Sequence, residues 1–175
     1  NQSLVKSNEK YRAEWVKIED YDPEDDTVRI EGIDKGATTF ARPEGIIADD
    51  KSIYACCTSG GHLKKGQIWK INPTSSKDLS VELWYEVQDE VSLNMPDNIV
   101  IAPWGDLIIC EDNSDVNRLW GLTSKGKPYL IAQNSYTGSE FAGACFSPVD
   151  NTMFVNIQGN GLTLLIEGNW NEVIS

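Results

Sequence analysis

Acidic residues stand at or near the start of an apolar strand in three similar segments of this chain, at matching places in the first two and two residues upstream of the matching place, near Ala142, in the third. Glu44 precedes an apolar stretch in "PEGII", Asp97 stands in the similar "PDNIV", and Glu140 precedes "FAGACF". A carboxylate at the mouth of a buried strand is costly unless its charge is compensated. Carboxylates that converge repel one another, whereas one Ca²⁺ accepts about six to eight oxygen ligands. These residues therefore predict a cation site, with capping of local turns as the alternative.

Four neighbouring residues extend this candidate site. Asn98 could add a carbonyl oxygen, and Glu111 and Asp112 end a strand in "CEDN". Because strand residues alternate between faces, one of these two acids must point inward. Arg42 lies two residues before Glu44 and shares its face in an extended segment. An arginine beside a metal cluster is typical of a phosphate clamp, and an ion pair with one of the acids is the alternative.

The composition excludes several function classes. Lys and Arg number 15 and Asp and Glu 27, for a net charge of −12. This balance argues against nucleic acid and anionic membrane surfaces as partners. No apolar run approaches the roughly 18–20 residues of a membrane span. His62, in the probable loop "SGGHLKKG", is the only histidine. We expect it at the surface, and Ser-His-Asp or Cys-His catalysis is not indicated.

The four cysteines form no CxxC pair. A zinc ribbon or a thioredoxin-type site is therefore not indicated. We interpret these residues as small buried hydrophobic side chains on strands, which is the usual setting of a free cysteine. They are Cys56, Cys57, Cys110 and Cys145.

The elements that must position these residues repeat along the chain. "PEGIIADDKSIYACCTSGG", "PDNIVIAPWGDLIICEDNS" and "FAGACFSPVDNTMFVNIQGNG" share a strand–turn–strand pattern at intervals of roughly 50 residues, and further strands follow each. This pattern predicts an all-β fold, a β-propeller of about three four-stranded blades. Strands are expected near 46–48, 53–57, 67–71, 81–86, 98–102, 107–112, 118–122, 128–132, 143–146, 153–157 and 162–166.

The predicted blades cover about 30–90, 91–138 and 139–175 of one partial propeller domain, 1–175. Residues 1–29 are expected to add strands to a further or shared blade, through "YRAEWVKI" and the following "DTVRIEGI". Closure normally takes at least about four blades. We therefore expect a fragment or a subunit, whose open edges bind the rest of the propeller, a second copy or another protein.

Five stretches resemble the PhoX-type alkaline phosphatases, a bacterial family of β-propeller metalloenzymes. They are "GATTFARPEGI", "TSGGHLKKGQIWKINP", "MPDNIVIAPWGDLIICEDN", "LWGLTSKGKPYLIAQN" and "SEFAGACFSPVDNTMFVNIQGNGLTLLIEGNW". The resemblance runs from about Trp15 to Trp170. It implies a phosphomonoesterase that depends on Ca²⁺ and Fe³⁺, acts on phosphate monoesters, and is exported to the periplasm or beyond.

The resemblance also implies roles for particular residues. The family's R-x-E step falls on Arg42 and Glu44, for phosphate contact and metal ligation, and the glutamate of "SEFAG" falls on Glu140, a further ligand. "PDN" and "CED" carry metal ligation to Asp97, Asn98, Glu111 and Asp112. Family members are longer, and their first half supplies further ligands, including the cysteine that holds iron. None of the four cysteines here is assigned that role.

Two other readings remain open on the sequence. One is a calcium-dependent lactonase or sugar-ester hydrolase on a six-bladed propeller, whose site needs no phosphate-binding arginine. The other is a non-catalytic half-propeller that serves as an interaction or structural subunit of a larger assembly. Binding of phosphate or vanadate through Arg42 would separate a phosphatase from a lactonase. The mass of the chain in its source organism would separate a fragment of a longer precursor from a genuine subunit.

Overall fold

The computed structural model describes residues 5–75, 77–89 and 91–170. Over these ranges the chain forms twelve strands and one short helix. In chain order they are β1 Lys10–Glu14, α1 Val28–Asp34, β2 Pro43–Ala48, β3 Ile53–Cys57, β4 Gln67–Pro73, β5 Asp78–Glu86, β6 Pro96–Ile101, β7 Leu107–Glu111, β8 Arg118–Leu122, β9 Pro128–Gln133, β10 Phe141–Phe146, β11 Met153–Ile157 and β12 Leu162–Ile166.

The strands form three antiparallel sheets, none of which closes into a barrel. The first has the order β1-β5-β4-β3-β2, the second β6-β7-β8-β9, and the third β10-β11-β12. Within each sheet, apart from β1, strands that are consecutive in sequence pair with each other, so each sheet is a meander. The all-β class is confirmed, and all eleven strands expected after residue 40 are present, with ends shifted by a few residues.

The N-terminal region differs from the sequence prediction at one element. "YRAEWVKI" contributes β1, which pairs with β5 at the outer edge of the first sheet. "DTVRIEGI" was predicted as a strand and is instead helix α1. No strand of the described ranges pairs with it. Gly36, at φ 85°, follows the end of the helix, and the Ala37 N–H donates to the Gly32 carbonyl. The outermost residues, 1–4 and 171–175, which the predicted blade boundaries included, lie outside the described ranges.

Two hydrophobic cores hold the sheets together, one on each face of the second sheet. Ile109 points toward the first sheet, where it packs with Cys56 and Ile68. Ile108 points the other way and packs with Met153 and Val155 of the third sheet. Successive side chains of β7 point to opposite faces, and both faces are buried. This explains why the sequence of the strand is a continuous apolar run.

Three of the cysteines lie as predicted and one does not. Cys56, Cys57 and Cys110 are buried free thiols. Cys145 is exposed, so its predicted burial is wrong. Its neighbour Ala144 points into the core, and alternation turns Cys145 to the open face of the third sheet. No helix within the described ranges has the length and hydropathy that a membrane crossing requires.

One edge strand of each sheet lies beside an edge strand of the next: β2 contacts β6, and β6 contacts β10. The closest approach is at Gly45, where a Cβ atom would stand 2.2 Å from the carbonyl oxygen of Asp97. Only glycine allows the two backbones to come so close. This approach brings the starts of β2 and β6, with their acidic residues, to one place.

Candidate metal and phosphate site

Five charged residues meet where β2, β6 and β10 begin and where β7 ends. The Arg42 cluster, as we name it, consists of Arg42, Glu44, Asp97, Asp112 and Glu140. The Arg42 guanidinium donates from Nη2 to Asp112 Oδ2 at 3.0 Å and lies 3.6 Å from Glu44 Oε1. Arg42 thus contacts two carboxylates directly, and the charges of Asp97 and Glu140 lie within its electrostatic range.

The carboxylates of the cluster are close enough to affect one another's protonation. Burial raises the pKa of Asp97, and the charges of Glu44 and Asp112 raise it further, against the opposing effect of Arg42. Burial also raises the pKa of Glu140, with added repulsion from Asp112 and Asp97. A single arginine does not neutralise four acids, so the cluster carries surplus negative charge that a bound cation would relieve.

Arg42 is held in an unusual backbone conformation. Its φ is 49°, in the left-handed region that non-glycine residues seldom adopt. The Thr58 N–H donates to the Arg42 carbonyl at 2.9 Å and so fixes the segment that carries the side chain. Strain of this kind is concentrated at functional sites. Thr58 was not among the predicted site residues, because it has no sequence signal beyond its position directly after β3.

Asn98 joins two sheets at the edge of the cluster. Its Oδ1 accepts the Gly143 N–H at 3.0 Å, which links β6 to β10. Gly143 has φ 62°, a conformation that suits glycine. A carbonyl oxygen has a second lone pair, so Asn98 keeps the capacity to accept one more contact.

Glu111 does not join the cluster. Its side chain is 0% exposed, and its Oε1 accepts the Asn94 N–H at 2.9 Å. Arg118 Nη1 lies 3.6 Å from Glu111 Oε2. Burial raises the pKa of this carboxyl. The expectation that one acid of "CEDN" points inward is confirmed: it is Glu111, while Asp112 faces the cluster.

The donor chemistry of the cluster fits a hard cation. Carboxylate and amide oxygens are the ligands that Ca²⁺ prefers. In the described ranges, however, no three His, Cys, Asp or Glu side chains converge in metal-ligand geometry. The thiols are unsuitable, since burial raises the pKa of Cys110 to about 12 and that of Cys57 to about 11, which keeps both protonated.

His62 lies at the surface, as expected. Its side chain is mostly exposed, and Nδ1 is 2.6 Å from Glu86 Oε1. Gln67 Nε2 donates to the other oxygen of Glu86, also at 2.6 Å. His62 is thus engaged with a residue outside the Arg42 cluster, and no contact in the described structure places it beside Arg42.

Comparison with known proteins assigns the chain to a family. The model of the family described as alkaline phosphatase PhoX matches residues 3–161. No curated protein and no solved structure shows significant similarity to the chain. The matched range covers most of the 175 residues and contains every member of the Arg42 cluster. This chain therefore belongs to the PhoX alkaline phosphatase family.

Proposed function

We propose that the Arg42 cluster is part of a metal-dependent site that hydrolyses phosphate monoesters. The observation that carries the proposal is the meeting of four carboxylates from three sheets around one strained arginine. A purely structural ion pair would need one acid for one base. The surplus acids suit metal ligation, and the arginine suits a phosphate group.

The proposed ligands are the carboxylates of Glu44, Asp97, Asp112 and Glu140, with the free lone pair of Asn98 as a further oxygen. Ca²⁺ fits this set of hard donors, and Fe³⁺ is the second metal that the family resemblance implies. Glu111 is left out of the set because its carboxylate is buried against Asn94. When bound, the metals would offset the acidic charge and polarise the phosphoryl oxygens.

Arg42 would bind the phosphate group of the substrate. Its hydrogen bond within the described structure runs from Nη2 to Asp112, and its side chain is half-exposed. A guanidinium has five N–H donors in a planar fork. Nε and Nη1 can therefore face phosphoryl oxygens while Nη2 stays on Asp112, which orients the fork toward the metal ligands.

For the fold, we propose that the three sheets are consecutive blades of a β-propeller. In support, each sheet is a meander and the first strands lie side by side with the acids at one end. The outer faces carry exposed apolar side chains, Ile46 at 65% and Leu165 at 56%. Further sheets, from more of the same protein or from a partner, would cover these faces. A periplasmic or extracellular location follows from the family resemblance alone.

The proposal is tested by calcium titration of Glu44→Gln. This change keeps the side-chain volume and removes one charge, so we expect calcium affinity to fall at least about 10-fold. Hydrolysis of a chromogenic aryl phosphate should fall in parallel, while the melting temperature without metal is kept.

The matched control is Asp50→Asn, which removes one charge just beyond the opposite end of β2. It should bind calcium as the wild type does. Unchanged stoichiometry and affinity in Glu44→Gln would show that Glu44 only caps a turn and that the proposed site is wrong.

A further inference from the structure

We propose that Glu111 is a positioning residue whose buried carboxylate holds the turn 94–96 and thereby aims Asp97 into the Arg42 cluster. The inference rests on the proposed function, since Asp97 is one of the proposed metal ligands. It gives Glu111 a role that differs from direct ligation. Glu111 and Asp112 would serve the same site from opposite sides of the chain, one by placing a ligand and the other by being one.

The first observation is the complete burial of Glu111. It is 0% exposed and follows the buried residues Ile109 and Cys110 on β7. Its oxygen Oε2 forms an ion pair with Arg118 Nη1 at 3.6 Å and accepts no hydrogen bond of good geometry in the described structure. A buried ion pair seldom stabilises a protein more than apolar side chains of similar volume would. Packing alone therefore does not favour an acid at this position.

The second observation is what the carboxylate binds. Oε1 accepts the backbone N–H of Asn94, which has no strand partner of its own. Asn94 is itself buried and lies three residues before Asp97. The hydrogen bond fixes the backbone at the start of the turn, and Pro96 restricts the path from there to Asp97.

The third observation is that this turn is strained and is held from several sides. Met95 has φ 48°, in the left-handed region. The Asp112 N–H donates to the Met95 carbonyl at 2.9 Å, and the Met95 N–H donates to the Lys65 carbonyl. Such a conformation persists only when the surroundings determine it. Glu111 holds this turn through a side-chain hydrogen bond, and its neighbour Asp112 holds it through a backbone hydrogen bond.

Together these contacts connect the end of β7 to the start of β6. Glu111 fixes Asn94, the backbone of Asp112 fixes Met95, and Asp97 follows on the strand that pairs with β7. Loss of the Glu111 contact would free the turn on the side that faces the core. Asp97 would then sample positions away from the other acids, and a metal held by all of them would bind less tightly.

The test compares Glu111→Met with Glu111→Gln. Methionine has a similar length and suits an apolar core, but it cannot accept the Asn94 N–H. Glutamine keeps that acceptor and loses the charge. We expect Glu111→Met to bind calcium about 10–100-fold more weakly, with kcat falling more than KM rises, while Glu111→Gln stays within about 3-fold of the wild type.

Amide hydrogen exchange supplies a readout that does not depend on metal. The Asn94 amide should be protected in the wild type and in Glu111→Gln, and should exchange rapidly in Glu111→Met. Asp106→Asn is the control: Asp106 is a buried acid before the other end of β7, bonded to Trp104 and Tyr129. It should leave calcium affinity unchanged even if it lowers the melting temperature.

The outcomes separate this inference from the proposed function. If Glu44→Gln binds calcium normally, the proposed function fails. If Glu44→Gln loses calcium while Glu111→Met binds it as the wild type does, only the positioning role is wrong. If Glu111→Gln loses calcium as severely as Glu44→Gln, Glu111 acts through its charge and the inference is overturned. This last comparison decides the matter even if Glu111→Met does not fold.

Discussion

At the level of single residues, Arg42 links the proposed metal ligands to the proposed phosphate-binding position. It pairs with Asp112, which is 70 positions away, and it also lies near Glu44. The hydrogen bond to Asp112 raises the pKa of Arg42 further above its usual range, so the guanidinium stays charged throughout the working pH range. A fixed positive charge among carboxylates gives a phosphate group one favourable contact in an otherwise repulsive site.

Arg42→Ala should separate phosphate binding from metal binding. Removal of a donor that faces the charge of the reacting phosphoryl group typically lowers kcat/KM about 10²–10³-fold. We expect a loss of this size with an aryl phosphate, weaker inhibition by inorganic phosphate, and calcium affinity that is retained. Arg42→Lys should recover only part of the activity, because lysine lacks the planar fork. Wild-type inhibition by phosphate in Arg42→Ala would rule out the clamp.

The four thiols should differ sharply in reactivity. Cys145 is exposed, whereas the other three are buried and burial raises the pKa of each of them. Because the thiolate is the reactive form, iodoacetamide at pH 8 should add to one thiol in the folded protein and to four in denaturant. Intact mass spectrometry counts the adducts. Two or more adducts under native conditions would contradict the burial of the other three.

At the level of elements, the second sheet contributes side chains to both hydrophobic cores, because both of its faces are covered. Ile108 and Ile109 are adjacent on β7 and belong to different cores. A strand that is buried on both sides makes twice the apolar contacts of a half-buried one. It also holds Glu111 and Asp112 at its end, so the packing of β7 and the geometry of the site depend on each other.

Ile109→Ala should therefore be strongly destabilising. The side chain is fully buried, and loss of such a group typically costs about 2–5 kcal/mol. Ile30→Ala is the matched control, because Ile30 lies on α1 with its side chain about half-exposed and alanine favours a helix. It should change the free energy of unfolding by less than about 0.5 kcal/mol. Denaturant titration measures both; equal effects would contradict the position of β7 in the core.

At the scale of the whole molecule, an acidic chain concentrates negative charge where its sheets converge. The net charge is −12, and the Arg42 cluster places four of the acids around one base. Such an arrangement lowers the stability of the metal-free protein and raises the affinity for a cation. Function and stability are thus expected to oppose each other at this site.

Asp97→Asn should show this opposition directly. Because the pKa of Asp97 is raised on folding, the native state binds this proton more readily, and the carboxylate lowers stability as pH rises through the folded pKa. Without metal at pH 8, we expect Asp97→Asn to be more stable by at most about 1 kcal/mol, roughly 2–4 °C in Tm. Near pH 3, where Asp97 is protonated, the difference should vanish.

The same comparison of wild type and Asp97→Asn is then repeated with calcium present. Calcium should raise the Tm of the wild type and have a much smaller effect on Asp97→Asn. A metal-free Asp97→Asn that is less stable than the wild type at pH 8 would show that Asp97 is satisfied by local contacts. The repulsion described above would then be absent.

Local sequence patterns were sufficient to predict the strands and the acidic residues near their starts. Alternation of apolar residues and turn signals depends on neighbouring positions, so β2 to β12 were predictable from local pattern. The repeat also matched Glu44 to Asp97 and placed Glu140 two residues before the corresponding position of the third segment, without any structure. Likewise, the alternation in "CEDN" required that one acid point inward, although it could not say which.

Contacts between segments that are distant in sequence account for the features that local patterns did not predict. The choice between Glu111 and Asp112 was made by the pairing of β7 with β6, which buries one acid against Asn94 and turns the other to Arg42. Segment 28–34 forms helix α1 and pairs with no strand of the described ranges, and Cys145 lies on an exposed face of the third sheet. Each of these outcomes depends on which surfaces meet, and no local pattern of residues encodes that.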